Sequence, residues 1–430
     1  MRILILSQYY WPEPIPKPSE LAQSLRAAGD EVTVITGFPD YPSGRLYDGY
    51  SLGLLRRESV DGIPVVRTFE YPYHGTRSLG RMANYLSFLV SAPLGGLLAP
   101  KADVMYVWHP PLTIGVAAWL IARLRRIPFV YDVQDIWPEA AVLSGLLRPG
   151  LAVRCLSILE RFVYRRADYI FTVTEGARRN LISKGVPPAK VAAMPHWFDE
   201  PAMRPDAAEA RDRVRREFDW DGKFVALFAG NLGLVQGLET VVRAAEWIPP
   251  ESGIRIALVG DGADKPRLLG LVDALGLLGR VQFIDRQPME RMPELFAAAD
   301  GLLVHLKHSD LSDFVIPTKT LAYLASGRPI IMAMNGAAAE LVSAARAGRV
   351  LVPEDPEKLA AAIREVAALP EADRHEMGAR GQEFLRQNFS KRIVIPRYRA
   401  VLARLVEQRA TTPAASRRRR AGGSRESNGE

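Results

Sequence analysis

Short apolar runs rich in Val, Ile and Leu, each followed by a longer stretch of helical pattern, recur along this chain, and the alternation starts twice. In the first half the runs cover residues 2–7, 31–36, 104–108 and 129–132, with helical stretches at 19–28 and 114–124. In the second half they cover 223–229, 254–259, 281–284, 301–305 and 329–332. A strand apolar at consecutive positions has to be covered on both faces, and intervening helices act as crossovers, so the strands pair in parallel. The pattern predicts an α/β protein with two doubly wound, Rossmann-like parallel sheets. Gly29 and Gly185 stand where helices stop.

The expected organisation is a first domain over 1–197, a second over 198–390, a terminal helix within 391–410 and a disordered basic tail over 411–430. At 430 residues the chain exceeds one compact core. Its single cysteine, Cys155, excludes an internal disulfide and a cysteine-rich zinc site, suits a reducing cytoplasm, and reads as a small buried filler. The start is too short for a signal peptide, and the apolar stretches at 85–99 and 112–122 are too short to span a bilayer. A net charge of +8 favours an anionic partner. The run Arg417 to Arg420 lacks interleaved aromatics, so nucleic acid is not the expected partner.

Two such domains would face one another across a cleft at the carboxyl ends of their strands, where ligands of this architecture bind. No G-x-G-x-x-G follows the first strand and no G-x-x-x-x-G-K-[ST] occurs, so neither a dinucleotide cofactor nor an ATPase phosphate loop is expected. The second domain is different. Its first strand runs into Gly230, Asn231, Gly233, Gln236 and Gly237 before a helix, and another strand ends at Gly260 and Asp261. Pro317, Thr318 and Lys319 open a further helix. Glycine turns let the backbone approach a ligand, and helix amino-termini offer N–H groups to phosphate. A diphosphate held among these loops would also meet the Lys319 ammonium.

Asp219-Trp220-Asp221 spells D-x-D but lies at the amino-terminal end of a strand, and the histidines lack zinc spacing, so no metal is expected. No G-x-S-x-G elbow appears. In the first domain Asp132, Asp135 and Glu139 cluster at a strand end, where a carboxylate can take a proton from an attacking hydroxyl; a helix cap at Asp135 is the rival reading. His109 ends the neighbouring strand and is a second candidate base. Trp11 and Glu13 after the first strand, with Gln134, Trp137 and Glu139, are the acceptor-side candidates.

Residues 36–44, 84–88, 130–139, 229–237 and 316–325 together resemble the family 4 glycosyltransferases of the two-Rossmann-domain (GT-B) type, in particular the WbuB- and WcaI-like subgroup of bacterial surface-polysaccharide synthesis. The likeness spans residues 1 to 408. It implies a metal-independent, anomer-retaining transfer from a nucleotide-diphosphate sugar held by the second domain, with no cofactor, and a last helix folded back on the first domain. Where many members carry an arginine and a lysine in the glycine loop, this chain has Asn231 and Gln236. The family's paired glutamates fall on Phe314 and Ala322, its base-region histidine on Gln134, and its glycine pair on Ile15 and Pro16. Glu340 matches a glutamate near the donor.

The resemblance also implies an undecaprenyl-diphosphate-linked saccharide acceptor. Arg77, Arg81, the apolar 85–98 stretch, Arg123, Arg125, Arg126, Arg161, Arg165 and Arg166 give the first domain the character of a surface that docks on anionic lipid. The expected location is the inner face of the cytoplasmic membrane. A nucleotide-sugar 2-epimerase and a catalytically silent binding subunit stay open as alternatives.

Overall fold

The computed structural model describes residues 1–75, 77–143, 147–148, 150–198 and 207–411. Two compact units are present: one comprises Met1–Thr172, Arg178–Met194 and the chain from Ile395 onward, the other Val173–Ala177 and Pro195–Val394. The basic run Arg417 to Arg420 lies outside the described residues.

In chain order the elements up to Ala193 are β1 (Arg2–Ser7), α1 (Pro16–Ala27), β2 (Glu31–Gly37), β3 (Leu55–Val60), β4 (Ile63–Thr68), α2 (Ser78–Leu98), β5 (Val104–Trp108), α3 (Ile114–Arg125), β6 (Phe129–Val133), α4 (Glu139–Leu143), α5 (Leu151–Arg166), β7 (Tyr169–Thr172), α6 (Glu175–Ser183) and β8 (Val191–Ala193). The sheet order is β3-β4-β2-β1-β5-β6-β7-β8. Residues Ile3 to Leu6 in β1 and Val104 to Val107 in β5 are all buried, which explains their unbroken apolar character. One edge departs from the expected all-parallel sheet, since β3 runs antiparallel to β4. The two are joined by Asp61-Gly62, both at positive φ (50° and 73°), the backbone that a two-residue hairpin demands.

The second half contains α7 (Ala207–Glu217), β9 (Phe224–Ala229), α8 (Leu238–Ala244), β10 (Ile254–Val259), α9 (Lys265–Ala274), β11 (Val281–Ile284), α10 (Met292–Ala298), β12 (Gly301–His305), α11 (Thr318–Ser326), β13 (Ile330–Ala333), α12 (Ala337–Ala345), β14 (Gly348–Leu351), α13 (Pro356–Ala368), α14 (Glu371–Phe389) and α15 (Lys391–Thr411). Its sheet, ordered β11-β10-β9-β12-β13-β14, is parallel at every pairing. Apolar side chains fill both faces: Val225, Leu227, Leu302 and Met332 on one, Ala226, Phe228, Leu258 and Ile331 on the other.

From Ile395, α15 belongs to the first unit. Tyr398 packs on the rings of Phe171 and Tyr106, at centroid distances of 4.7 and 6.1 Å. Its hydroxyl donates to the Met194 carbonyl at 3.3 Å and also bonds Asp132. Arg399 donates to both oxygens of Asp30, at 2.7 and 3.1 Å, and the same buried carboxylate holds the amino-terminal ammonium at 3.0 Å. Cys155 is exposed on α5, contrary to its reading as a buried filler.

Tyr398 fills space inside the first unit, so Tyr398→Ala should cost that unit about 3–5 kcal/mol, as truncation of a buried aromatic does. Tyr398→Phe, which removes only the hydroxyl, should cost about 1–2 kcal/mol. Denaturant unfolding followed by tryptophan emission measures both; equal losses for the two variants would contradict this account of the packing.

Candidate donor site

The second unit's site is built on β9. Phe228 is buried in this strand, and its ring receives the Lys319 Nζ at 3.8 Å from the centroid. Lys319 is the second residue of α11 and so stands in the helix's first turn. Its Nζ donates to Gln236 Oε1 at 2.9 Å, and a β-carbon added to Gly230 would sit 3.3 Å from it. Gly230, Gln236 and Lys319, three residues predicted for the donor, are thus brought together. Desolvation, with no carboxylate beside it among the described residues to offset the loss of water, pushes the ammonium down to about 7.

The two glycine loops lean on each other through their backbones. Gly230 N–H donates to Val259 O at 3.0 Å, and Leu232 N–H donates to Asp261 O at 2.8 Å. Gly260 has φ of 142°, and a β-carbon there would stand 2.0 Å from the Gly230 carbonyl oxygen, so no other residue fits without moving the loop. The Asn231 amide is wedged between Gly233 and Gly262. The Asp261 carboxylate accepts from Gly262 N–H at 2.8 Å and caps its own turn. Residues 234–236 form a 3-10 turn in which the Gln236 and Gly237 amides are already spent on Gly233 and Leu234 carbonyls. Fewer loop N–H groups therefore face a ligand than the sequence suggests.

Two supports were not legible from the sequence. His305, buried at the end of β12, shares its Nδ1 with the Gln236 carbonyl at 2.6 Å and accepts at Nε2 from Glu354 N–H at 3.2 Å. That pair of bonds fixes the peptide carrying Gln236. The buried Tyr323 on α11 accepts at its hydroxyl from Ala229 N–H at 2.9 Å, tying α11 to the end of β9. Pro317 and Thr318 cap and open α11. Glu340 is exposed on α12 and lines a groove with Asn335, Ser343 and Lys358. Asp219 pairs with Lys223 at 2.5 Å and lies 3.6 Å from Arg255.

The first unit sorts its candidates by burial. Asp132 was expected at an accessible strand end; it is fully buried, bonded to Tyr106 and Tyr398, and desolvation pushes its carboxyl up to about 7. It locks β5, β6 and α15 together and offers no open face to a substrate. His109 is likewise buried, and desolvation lowers its imidazole to about 3, so it is neutral at physiological pH. Asp135 is the exposed carboxylate of the segment, held above its ordinary range by partial desolvation.

Glu13 is buried and accepts the backbone N–H groups of Tyr10, Asp40 and Tyr41 at 2.9, 3.0 and 2.9 Å, which makes it an organiser of the loops after β1 and β2. Glu139 is taken by Lys184 at 2.6 Å, which also holds Glu160 at 2.7 Å. Trp11 is 52% exposed, whereas Gln134 and Trp137 are half-buried.

Residues 18–197 match the glycosyl transferase 4-like domain, and residues 210–384 match the glycosyl transferases group 1 family. WcaI of Escherichia coli (strain K12), named as a colanic acid biosynthesis glycosyl transferase, is 30% identical over 410 residues, covering 93% of this chain and 98% of that protein. WbjE of Pseudomonas aeruginosa, named as a glycosyltransferase, is 26% identical over 348 residues, covering 79% and 84%. The crystal structure of Anabaena Alr3699/HepE in complex with UDP-glucose superposes with a TM-score of 0.66 at 20% identity, covering 94% of this chain and 99% of that one. With its two Rossmann-like units of GT-B type, its glycine loops and its relation to WcaI, the chain belongs to the family 4 glycosyltransferases and is a glycosyltransferase.

Proposed function

We propose that this enzyme takes a sugar from a nucleotide-diphosphate donor and passes it to a lipid-linked saccharide, retaining the anomeric configuration and using no metal at the donor loops. The product belongs to a bacterial surface polysaccharide. The observation that carries the reading is the convergence of Lys319, Gln236 and Gly230 at the start of α11. When the bond from the anomeric carbon to the diphosphate oxygen breaks, the departing diphosphate gains negative charge, and an ammonium beside a helix amino-terminus stabilises it. The acceptor hydroxyl loses its proton as the new glycosidic bond forms, and the exposed Asp135 carboxylate is the group assigned to receive it. The name of WcaI, a colanic acid biosynthesis glycosyl transferase, supports a role in surface-polysaccharide assembly.

Docking of the first unit on anionic lipid fits the outer face of α2. Leu79, Met82, Leu86, Val90, Leu94 and Leu97 recur at three- and four-residue spacing and are 44–82% exposed, while Asn84, Phe88, Ala92 and Gly95 face the core. Among the described residues no helix is long and apolar enough to cross a membrane. Arg77, Arg123 and Arg126 are exposed and available to lipid headgroups. Arg125 is not, because its guanidinium donates to the carbonyls of Gly96, Ala99 and Pro100 at the end of α2. The enzyme is placed at the cytoplasmic face of the membrane on this reading.

Titration with a panel of UDP, GDP and dTDP sugars identifies the donor, and Lys319→Met should weaken the best ligand by about 10–100-fold, the value of a charge-assisted hydrogen bond. Unchanged affinity in that variant would remove Lys319 from the donor site.

The depressed ammonium also sets a pH dependence. In the free enzyme Lys319 loses its proton near pH 7. A bound diphosphate favours the charged form and raises that value, so affinity is full below pH 7 and declines above it, by up to about tenfold per pH unit. Measured between pH 6 and 8.5, the unsubstituted enzyme should show this slope and Lys319→Met a flat profile; a flat profile in both rejects the assignment.

Glutamates at Leu79 and Val90 should reduce binding to phosphatidylglycerol vesicles by about tenfold or more, because charges enter the apolar face. Nucleotide-sugar affinity should be unchanged. Vesicle sedimentation decides, and equal pelleting of the Leu79→Glu/Val90→Glu protein would place lipid contact on another surface.

A further inference from the structure

Two of the most distinctive segments of the sequence, 36–44 and 84–88, meet in the first unit around Asp40, Glu70 and His74. One oxygen or nitrogen from each of these three side chains lies within 4.8 Å of the others. His74 Nε2 stands 2.9 Å from Asp40 Oδ1. Glu70 Oε1 accepts from Gln8 Nε2 at 2.6 Å and Asn84 Nδ2 at 2.7 Å.

Asp40 and Glu70 are 1% and 2% exposed, and among the described residues no lysine or arginine pairs with either. Arg67, on β4, is committed to Glu58 and to the carbonyls of Gly37 and Trp11. Buried carboxylates are ordinarily paired with cations or coordinate metals. Two further buried atoms have no partner: Asp40 Oδ2 and Gln8 Oε1, the latter on the amide whose nitrogen already binds Glu70. Space has been left for Glu70, since a β-carbon on Gly37 would lie 1.7 Å from its Oε2.

We propose that Asp40, Glu70 and His74 bind a divalent transition-metal ion, which fastens the loop after β2 to β4 and the segment leading into α2. The ion takes the place of the proton that joins His74 Nε2 to Asp40 Oδ1, and it supplies the positive charge the two carboxylates lack. Two oxygens and one imidazole nitrogen suit Zn²⁺, Co²⁺ or Mn²⁺, whereas Mg²⁺ and Ca²⁺ favour oxygen-only ligands. Its role is structural in the first unit and is independent of how the donor diphosphate is held in the second.

The full chain, in a Cys155→Ser background to remove the exposed thiol as a competing ligand, is stripped with chelator and titrated with Zn²⁺ by calorimetry and with Co²⁺ by visible absorption. Mg²⁺ serves as comparator. The expected result is saturable binding of one ion per chain, ligand-field bands with Co²⁺, and a melting temperature raised by several degrees with Zn²⁺ but not with Mg²⁺. Asp40→Asn and His74→Gln should each weaken binding by at least about tenfold and cancel the thermal shift. Lack of saturable Zn²⁺ and Co²⁺ binding by the unsubstituted site overturns the proposal, as does undiminished binding in both variants. Should Asp40→Asn fail to fold, His74→Gln at the partly exposed edge of the cluster and the Co²⁺ spectrum of the unsubstituted site separate the same two outcomes.

Discussion

A lysine ammonium set on an aromatic ring at the end of a central strand is the constraint around which the second unit is arranged. Burying an ammonium costs more than one cation–π contact and one neutral hydrogen bond return, which is why Lys319 sits near neutrality with respect to its proton. The cost is tolerated because the surroundings cannot relax away from it. Tyr323 binds α11 to Ala229, His305 holds the Gln236 peptide, and Gly260 rests against the Gly230 carbonyl. A side chain at Gly260 would part the two glycine loops and disturb the surroundings of the half-buried Lys319. On the proposed donor reading, part of the ammonium's desolvation penalty is met in folding before an anion binds.

The first unit uses its polar groups differently. Asp132 near the end of β6, Glu13 in the loop after β1 and Glu139 at the start of α4 lie where ligand-binding residues of α/β proteins collect, yet each, like Glu160 within α5, is consumed internally by hydroxyls, backbone amides or Lys184. The effect is a sheet whose carboxyl edge is stiffened by buried hydrogen bonds, with α15 stitched to it through Tyr398 and Arg399. Asp135, by contrast, stays at the surface.

How much of this was legible follows from burial. Strands covered on both faces, such as β1, β5, β9 and β10, announce themselves by unbroken apolar runs, and their ends were placed to within a residue or two. The hairpin of β3 and β4 escaped because Arg56, Arg57 and Glu58 interrupt an edge strand that is mostly exposed, although Asp61-Gly62 carries the turn signal. At the donor site the glycines and Lys319 were readable because loop chemistry is local. Phe228, Tyr323 and His305 were not, since a ring under an ammonium or an imidazole holding a carbonyl looks like ordinary core in one dimension. The reverse error befell Asp132 and His109, whose chemistry is conspicuous in sequence and whose burial is visible only once β5, β6 and α15 are assembled.

The neutral residues Asn231 and Gln236 at loop positions that hold an arginine and a lysine in many family members need not mean a lost site. On the proposed reading a diphosphate requires positive charge, from whichever residue supplies it, near the end of β9. Lys319 reaches it from α11, and Gln236 from the loop position turns its oxygen toward that ammonium at 2.9 Å. An amide can do this where a second cation would repel Lys319 and drive its proton off still more readily. On the proposed reading the charge is supplied from the helix and not from the loop. The neutrality of Gln236 then reads as a condition of that arrangement, because an acceptor at this position joins the Phe228 ring in holding the Lys319 ammonium in the absence of the donor.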